Sequence, residues 1–505
     1  MSDGGRGAPV AGLVVAAAGV LVVVPFFAAT TFLGDDHLFL AFARLAPNPL
    51  VAFVRDQHGG EFYRPLPMLA WWLLAHATPV ASSASSFPAS WPFAALALGL
   101  HALSALLLGR LLVALGRPLA VARVAAALFF LAPQNLDAAS WYAASTDLFA
   151  TAFTLAALLA LARGASPVST AALALAAFVS KESALVLPAL AYVVLGARAA
   201  PEPRGRRLRA VLPSLVAAAL ALLVRARVLG GWGGPGDERA SPVAKLAQLA
   251  NGLVHVGTGA AVLPEILAWG LGAAALALFG LAAARARRPA PWVPLAFTAV
   301  ALLPLLGPGW IVGARYFYLP SVGLAWAAAE ALAERPLPAR VTIGAALLLL
   351  GALQATARRS EIVRYEARLA SARRAVADGA QRGARVFHVD GGIKDIDLAV
   401  KEAPALAPLA GELLVLGDVP ASFVELPPAL AARAAFLVAA PPLPPSGAYT
   451  FGDARIVGLA RRGADPTLDE VVARFPDIRF IRLRLTPAGR VVGRDVTEEL
   501  EGSGD

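Results

Sequence analysis

Residues 91–115 read WPFAALALGLHALSALLLGRLLVAL, with Arg110 as the one full charge in the stretch. About 20 predominantly apolar residues are enough to cross the hydrocarbon core of a bilayer, so this segment reads as a membrane-spanning helix. Working outward, comparable stretches occur at 9–33, 119–135, 141–162, 167–183, 184–200, 209–229, 264–284, 290–308, 318–334 and 338–356, about eleven spans in all. The fifth and sixth are short and nearly continuous, with their boundary near Lys181. The first is longer than the apolar core of a signal peptide and has no small-residue cleavage site before Asp35, so it reads as a retained anchor.

The composition agrees. The chain has 505 residues, 58% of them apolar and 15% charged, and a mean hydropathy of +0.66. Soluble domains average about 45–50% apolar and about 25% charged residues, so an ordinary soluble enzyme and a disordered chain are both excluded. With no cysteine, the chain has no disulfide, thiolate metal site or cysteine nucleophile. A net charge of +10 would suggest nucleic acid in a soluble protein. Here the basic residues collect in short loops between spans, as orientation in a membrane demands, and no nucleic-acid partner is expected.

Those loops set the topology. Arg6, Arg117, Arg123, Arg163, the run Arg204, Arg206, Arg207 and Arg209, then Arg285, Arg287, Arg288, Arg335 and Arg340 fall in alternate loops. That face is expected to be cytoplasmic, with the amino terminus inside and, after an odd number of spans, the carboxy terminus outside. The outer face then holds loops 34–90, 135–140 and 230–263 and a turn at 308–320. Within the first, residues 65–76, PLPMLAWWLLAH, are too short to span and read as an interfacial helix with Trp71 and Trp72 at headgroup level. From 358 charges return. Residues 358–382 read as a helix, short β-like runs follow at 385–390, 413–416, 435–439 and 478–485, and PPLPPSG punctuates them as a turn or linker. The expected organisation is a transmembrane domain at 1–357 and a small extracytoplasmic α/β domain at 358–505.

Charges at the edge of a bilayer are costly, so those on the outer face are candidates for function. Asp35 and Asp36 follow the first span directly, between FLG and LFLAFA, and either could serve as a general base. As a bare pair they could equally cap a helix end, and they leave a divalent cation open but not favoured. Tyr63 and Arg64 open the interfacial segment, where an arginine beside an aromatic suits a phosphate or acts as a plain anchor. Asp137 and Asp147 flank Trp141 and Tyr142. Lys181 and Glu182 sit at a span boundary, where an ion pair is structural glue or part of a site. Arg315 stands among Tyr316, Phe317 and Tyr318, an arrangement that fits a lipid-linked phosphate or an aromatic belt. His101, inside the second span, reads as a helix-to-helix hydrogen bond rather than as a reacting group. All five motifs fall on one face, and together they offer what transfer from an anionic leaving group requires: a base for the acceptor and cations for the departing phosphate.

In this order the motifs resemble those of the GT-C glycosyltransferases, membrane enzymes that use polyprenyl-phosphate sugar donors. The chain is most similar to the protein O-mannosyltransferase-like branch, which includes the transmembrane and tetratricopeptide-repeat mannosyltransferases. The matching elements are Asp35-Asp36, the YRPL of residues 63–66 preceded by His58, His101, Asp137, the STDL of residues 145–148, Lys181-Glu182 and the RYFYLPS of residues 315–321. Ser145 stands where that family has arginine, and no repeats follow the last span. The likeness covers roughly residues 9–335. It implies a GT-C-like helical bundle and an acid of the first outer loop, Asp35 or Asp36, as catalytic base. It further implies an outer arginine as grip for the donor phosphate; by position Arg315 is the first candidate, Arg64 the second and Lys181 the third, with His58, Tyr63, Asp137, Asp147, Glu182, Tyr316 and Tyr318 in support. It implies no cofactor, and in the mannosyltransferase branch no required metal, whereas oligosaccharyltransferase relatives use one.

The expectation is thus a mainly α, polytopic plasma-membrane glycosyltransferase. It would move a sugar, mannose being one candidate, from a polyprenyl-phosphate carrier to an extracytoplasmic protein, lipid or glycan with inversion. The alternatives are a transporter or flippase of lipid-linked sugars and a non-catalytic membrane assembly protein. Transporters usually carry inverted repeats and broken helices at mid-membrane, and the two halves of this chain do not match.

Overall fold

The computed structural model describes residues 48–54, 62–78, 80–82, 85–197, 203–231, 292–306, 314–333 and 335–381, isolated positions within 32–46, and strand segments between 384 and 495. Its backbone groups into two units. Among the described residues, the first holds those of 63–67 and 93–360, and the second those of 32–62, 68–92 and 361–495. The helices are α1 (Val51–Val54), α2 (Pro65–Ala77), α3 (Trp91–Ala114), α4 (Leu119–Leu131), α5 (Pro133–Ser140), α6 (Ser145–Ala162), α7 (Pro167–Phe178), α8 (Leu187–Leu195), α9 (Arg204–Leu229), α10 (Trp292–Leu302), α11 (Pro320–Ala333) and α12 (Leu337–Gln381). Single 3₁₀ turns at Tyr142–Ala144, Glu182–Val186, Leu303–Leu306 and Ala314–Phe317 join or extend them.

Three of the described helices, Trp91–Ala114, Tyr142–Ala162 and Arg204–Leu229, are long and apolar enough to cross a membrane. The pattern on α9 shows which solvent this surface suits. Leu208, Leu212, Leu215, Val216, Leu220 and Leu223 are exposed, whereas Val211, Ser214, Ala217, Ala221 and Arg225 are buried. Both sets recur at helical spacing, so the bulky apolar stripe faces out and small or polar residues face in. Water would select the reverse pattern. Lipid selects this one, because packing of small residues and polar contacts, not the hydrophobic effect, holds helices together there. This is the surface of a membrane protein.

Several expected spans are shorter than the sequence suggests. The stretch 119–135 divides into α4 and α5 at Ala132, whose backbone is extended, and Pro133 begins the new helix. The stretches 167–183 and 184–200 form α7 and α8, separated by the 3₁₀ turn that starts after an extended Lys181. Expected spans 9–33 and 264–284 lie outside the described residues, apart from Phe32. In the first unit α7 packs between α6 and α9, and α11 packs on both α4 and α10. Gly323 allows that last approach: a β-carbon there would lie 2.5 Å from the Pro294 carbonyl oxygen and 2.9 Å from the Thr298 amide nitrogen, both backbone atoms of α10. Larger residues would force the helices apart.

In the second unit, the segment after the first apolar stretch has a buried stripe at Asp36, Phe39, Leu40 and Ala43, which is helical spacing. Helix α2 covers the range expected for the interfacial helix, and Trp71 faces protein. It is 1% exposed and packs edge-on against Phe39, with ring centroids 5.4 Å apart, and beside Phe32. Trp72 is partly buried and donates from Nε1 to the Ala46 carbonyl at 3.0 Å. Both tryptophans therefore make contacts within the protein, Trp71 by packing and Trp72 by a hydrogen bond. Strands β1 (Val80–Ser82) and β2 (Ser85–Pro88) form a hairpin after α2.

The expected boundary at 357/358 falls inside α12, whose 45 residues run unbroken through it. Beyond it, β3 (Ala384–Val389) pairs in parallel with β4 (Leu414–Gly417) on one side and β8 (Arg479–Leu485) on the other, and β9 (Val491–Asp495) adds an antiparallel edge to β8. A second, antiparallel sheet orders β5 (Val424–Leu426), β7 (Ala454–Val457) and β6 (Tyr449–Phe451). The expected strand at 435–439 and the PPLPPSG turn lie outside the described residues.

Candidate active site

Four of the five polar motifs meet in the first unit. Each is delivered by a break in regular structure. Arg64 directly precedes α2, whose Leu66 amide donates to the Val179 carbonyl at the end of α7, 3.4 Å away. Trp141 is an extended residue between α5 and the Tyr142–Ala144 turn, and Asp147 lies in the first turn of α6. Lys181 is extended between α7 and the next turn. Arg315 and Tyr316 belong to the 3₁₀ turn before α11, and α5 packs against that turn.

Three described ion pairs hold the cluster. Arg64 grips Glu182 with two donors, Nε to Oε2 at 3.2 Å and Nη2 to Oε1 at 2.5 Å. Lys181 Nζ lies 2.6 Å from Asp147 Oδ2. Arg225, from inside α9, adds a second cation to Glu182, Nη1 to Oε2 at 3.7 Å. Aromatic rings close the other side. Lys181 Nζ is 4.6 Å above the Tyr316 ring, and the Arg315 guanidinium is 3.9 Å above the Trp141 ring and 5.2 Å from that of Tyr316. Arg315 Nη2 also donates to the Tyr316 hydroxyl at 3.4 Å.

All four cations are at most partly exposed, and Arg64, Lys181 and Arg225 are buried. Burial alone lowers the pKa of Arg64, yet Glu182 against it and Asp147 further off raise it overall, so its charge is secure. Burial pushes the Tyr63 phenol up, which keeps it a neutral hydrogen-bonding group. Among the described pairs, Lys181 meets Asp147, Arg64 and Arg225 meet Glu182, and Arg315 stacks on Trp141. Removing one partner of a buried ion pair costs about 3–5 kcal/mol, so these groups are strongly interdependent. Clustered cations suit an anion, and planar arginine donors suit phosphate oxygens in particular.

The turn carrying Arg315 is locked from behind. His101 Nδ1 is 2.8 Å from the Tyr318 hydroxyl and Nε2 is 3.0 Å from the Phe130 carbonyl oxygen. A carbonyl only accepts, so Nε2 bears the hydrogen and the Tyr318 hydroxyl donates to Nδ1. His101 thus links α3, α4 and the chain before α11, the structural part expected of it. Ser321 adds a hydrogen bond to Asn135 at 3.0 Å. Tyr318, expected near the donor, is instead fully buried on His101.

The remaining candidates are placed less closely. Asp36 is buried, 0% exposed, and belongs to the second unit. Asp35 and His58 lie outside the described residues, and the side chain of Asp137, on α5, does too. Among the described residues no group of three or more His, Asp or Glu gathers as for a metal ion. Two members of the cluster were not anticipated as site residues. Arg225 is a charge within the expected span 209–229, which is itself a signal of function. Trp141 was noticed only as a neighbour of the acids.

No family model matches the chain, and no curated protein matches it. Among solved structures it is similar to ArnT from Cupriavidus metallidurans bound to undecaprenyl phosphate, at 13% identity and a TM-score of 0.49, over 92% of this chain and 100% of that one. It is also similar to the Archaeoglobus fulgidus oligosaccharyltransferase tethered to an acceptor peptide, at 11% identity and a TM-score of 0.42, over 77% of this chain and 63% of that one. Both superpositions are loose, and neither assigns a residue of this chain a role.

Proposed function

We propose that the protein is a GT-C-type membrane glycosyltransferase that takes a sugar from a polyprenyl-phosphate carrier and attaches it to an extracytoplasmic acceptor. The observation that carries this reading is the gathering of Arg64, Lys181, Arg225 and Arg315 beside Trp141 and Tyr316, in a bundle whose outer surface suits lipid. The ordered motifs of the sequence support the same reading. In the step proposed, an acceptor hydroxyl oxygen attacks C1 of the sugar from the face opposite the phosphate. The bond from C1 to the phosphate oxygen breaks, and its electron pair stays on the phosphate. The hydroxyl proton passes to Asp35 or Asp36, and the configuration at C1 inverts. Arg315 holds the leaving phosphate, with Arg64 and Lys181 setting the surrounding field through Glu182 and Asp147. The sugar is left open, mannose being one candidate from the motif likeness.

The experiment is a vesicle assay with purified protein, a panel of polyprenyl-phosphate sugars and an added acceptor extract. Transfer releases carrier phosphate in step with sugar attachment. Movement of intact lipid-linked sugar between leaflets without release would establish the transporter alternative instead.

The proposal includes orientation. The clustered residues sit at one end of α6, α9 and α11, and Arg163, Arg204–Arg209 and Arg335 sit at the other ends of the same helices. Arginine-rich ends face the cytoplasm as a rule, so the site and residues 358–505 are assigned to the outside. A reporter active only in the cytoplasm, fused after residue 505, should stay silent. A strong signal from it would remove the outer-face assignment.

A further inference from the structure

At the arginine-rich end of the first unit, α3, α4 and the end of α6 enclose a groove of about 460 Å³. Its walls carry Leu106 and Val113 from α3 and Leu119 from α4, all exposed, and its floor is glycine and alanine. Three arginines line it, one from each element: Arg110, Arg123 and Arg163. No acidic side chain lines the groove, and none of the three makes an ion pair with a described residue. The nearby Arg117, in the turn between α3 and α4, behaves differently. It is committed to Glu330 of α11, Nε to Oε1 at 3.4 Å, and lies over Trp326.

We infer that this groove is a binding site for an anionic glycerophospholipid of the leaflet at that end. One acyl chain would lie along Leu106, Val113 and Leu119, and the phosphate headgroup would sit among the three arginines. Charge complementarity identifies the occupant. An apolar channel alone would accept any lipid tail, but three converging cations without a carboxylate select a negative headgroup. Arginines that served orientation alone would need no shared cavity and no apolar channel beside them. The site is separate from the candidate active site, because the 18 residues of α6 place the two ends about 27 Å apart.

Each basic residue near a charged membrane surface is worth roughly 1 kcal/mol, or about fivefold in binding. The expected effect of removing all three is then about 100-fold. The test is native mass spectrometry of the full-length protein in mild detergent, titrated with phosphatidylglycerol and, separately, with phosphatidylcholine. Wild type should retain phosphatidylglycerol selectively, and R110Q/R123Q/R163Q should lose that selectivity while its phosphatidylcholine retention stays the same. V113W keeps every charge and therefore the orientation signal, but fills the channel. It should lose phosphatidylglycerol at least tenfold, and it decides the matter if the triple variant fails to insert. Equal retention of the two lipids by wild type, or undiminished phosphatidylglycerol retention by V113W, would overturn the inference.

Discussion

Arg315→Ala should lower turnover per folded molecule by about 10²–10³-fold, the loss typical when one preorganised partner of a developing charge is removed. Negative charge on the carrier phosphate grows as the sugar bond breaks, so a fixed cation favours the transition state more than the bound donor. The geometry gives Arg315 that fixity. Its guanidinium is stacked 3.9 Å above Trp141, and the turn that bears it is tied down through Tyr318 and His101. Arg315→Lys keeps the charge but loses the stacked plane and the forked donors, so it should fall between wild type and alanine. If Arg315 merely anchored α11, the alanine variant would be less abundant in the membrane but unchanged in rate per folded molecule. Turnover measured on quantified folded protein, with donor concentration varied, separates the two. Unchanged turnover and unchanged donor dependence would take Arg315 out of the site.

The second large effect concerns the base. Of Asp35→Asn and Asp36→Asn, one should lose about 10²–10⁴-fold in turnover, since asparagine keeps the size of the side chain and cannot take a proton. Neighbours on a helix point about 100° apart, so both cannot face one acceptor. Asp36 shares the buried stripe with Phe39, Leu40 and Ala43, and an ionisable group there is costly unless it is paired or functional. The measurement is the rate of sugar transfer at saturating donor for the two variants side by side. Normal rates in both would exclude the pair from catalysis.

What could be read from the sequence follows from how rare charge is in this chain. In apolar surroundings Arg64, Lys181, Glu182 and Arg315 stand out, and the structure brings those residues and Asp147 into one cluster. Spans at 91–115, 141–162 and 209–229 were legible because long unbroken apolar runs have few other readings. The stretches around Ala132 and Lys181 were not, because hydropathy is blind to a single extended residue that divides a run into two short helices. The burial of Trp71 was not legible either, because composition reports that a residue is amphipathic, not which surface it meets. The place of Arg225 was hidden for a related reason: which way α9 turns depends on its packing against α7 and α8. In the tail, β5, β6 and β7 have three or four residues each, too few for alternation to register.

The central claim is that the outer cluster holds a lipid-linked phosphate while a separate acid performs the proton transfer. The most direct test is the equilibrium binding of a polyprenyl phosphate lacking its sugar to wild type, Arg315→Ala, Asp35→Asn and Asp36→Asn. The account predicts wild-type affinity in both asparagine variants, including the one that loses turnover, and at least tenfold weaker binding in Arg315→Ala. Undiminished carrier binding by Arg315→Ala, or loss of binding in the inactive asparagine variant alone, would contradict it.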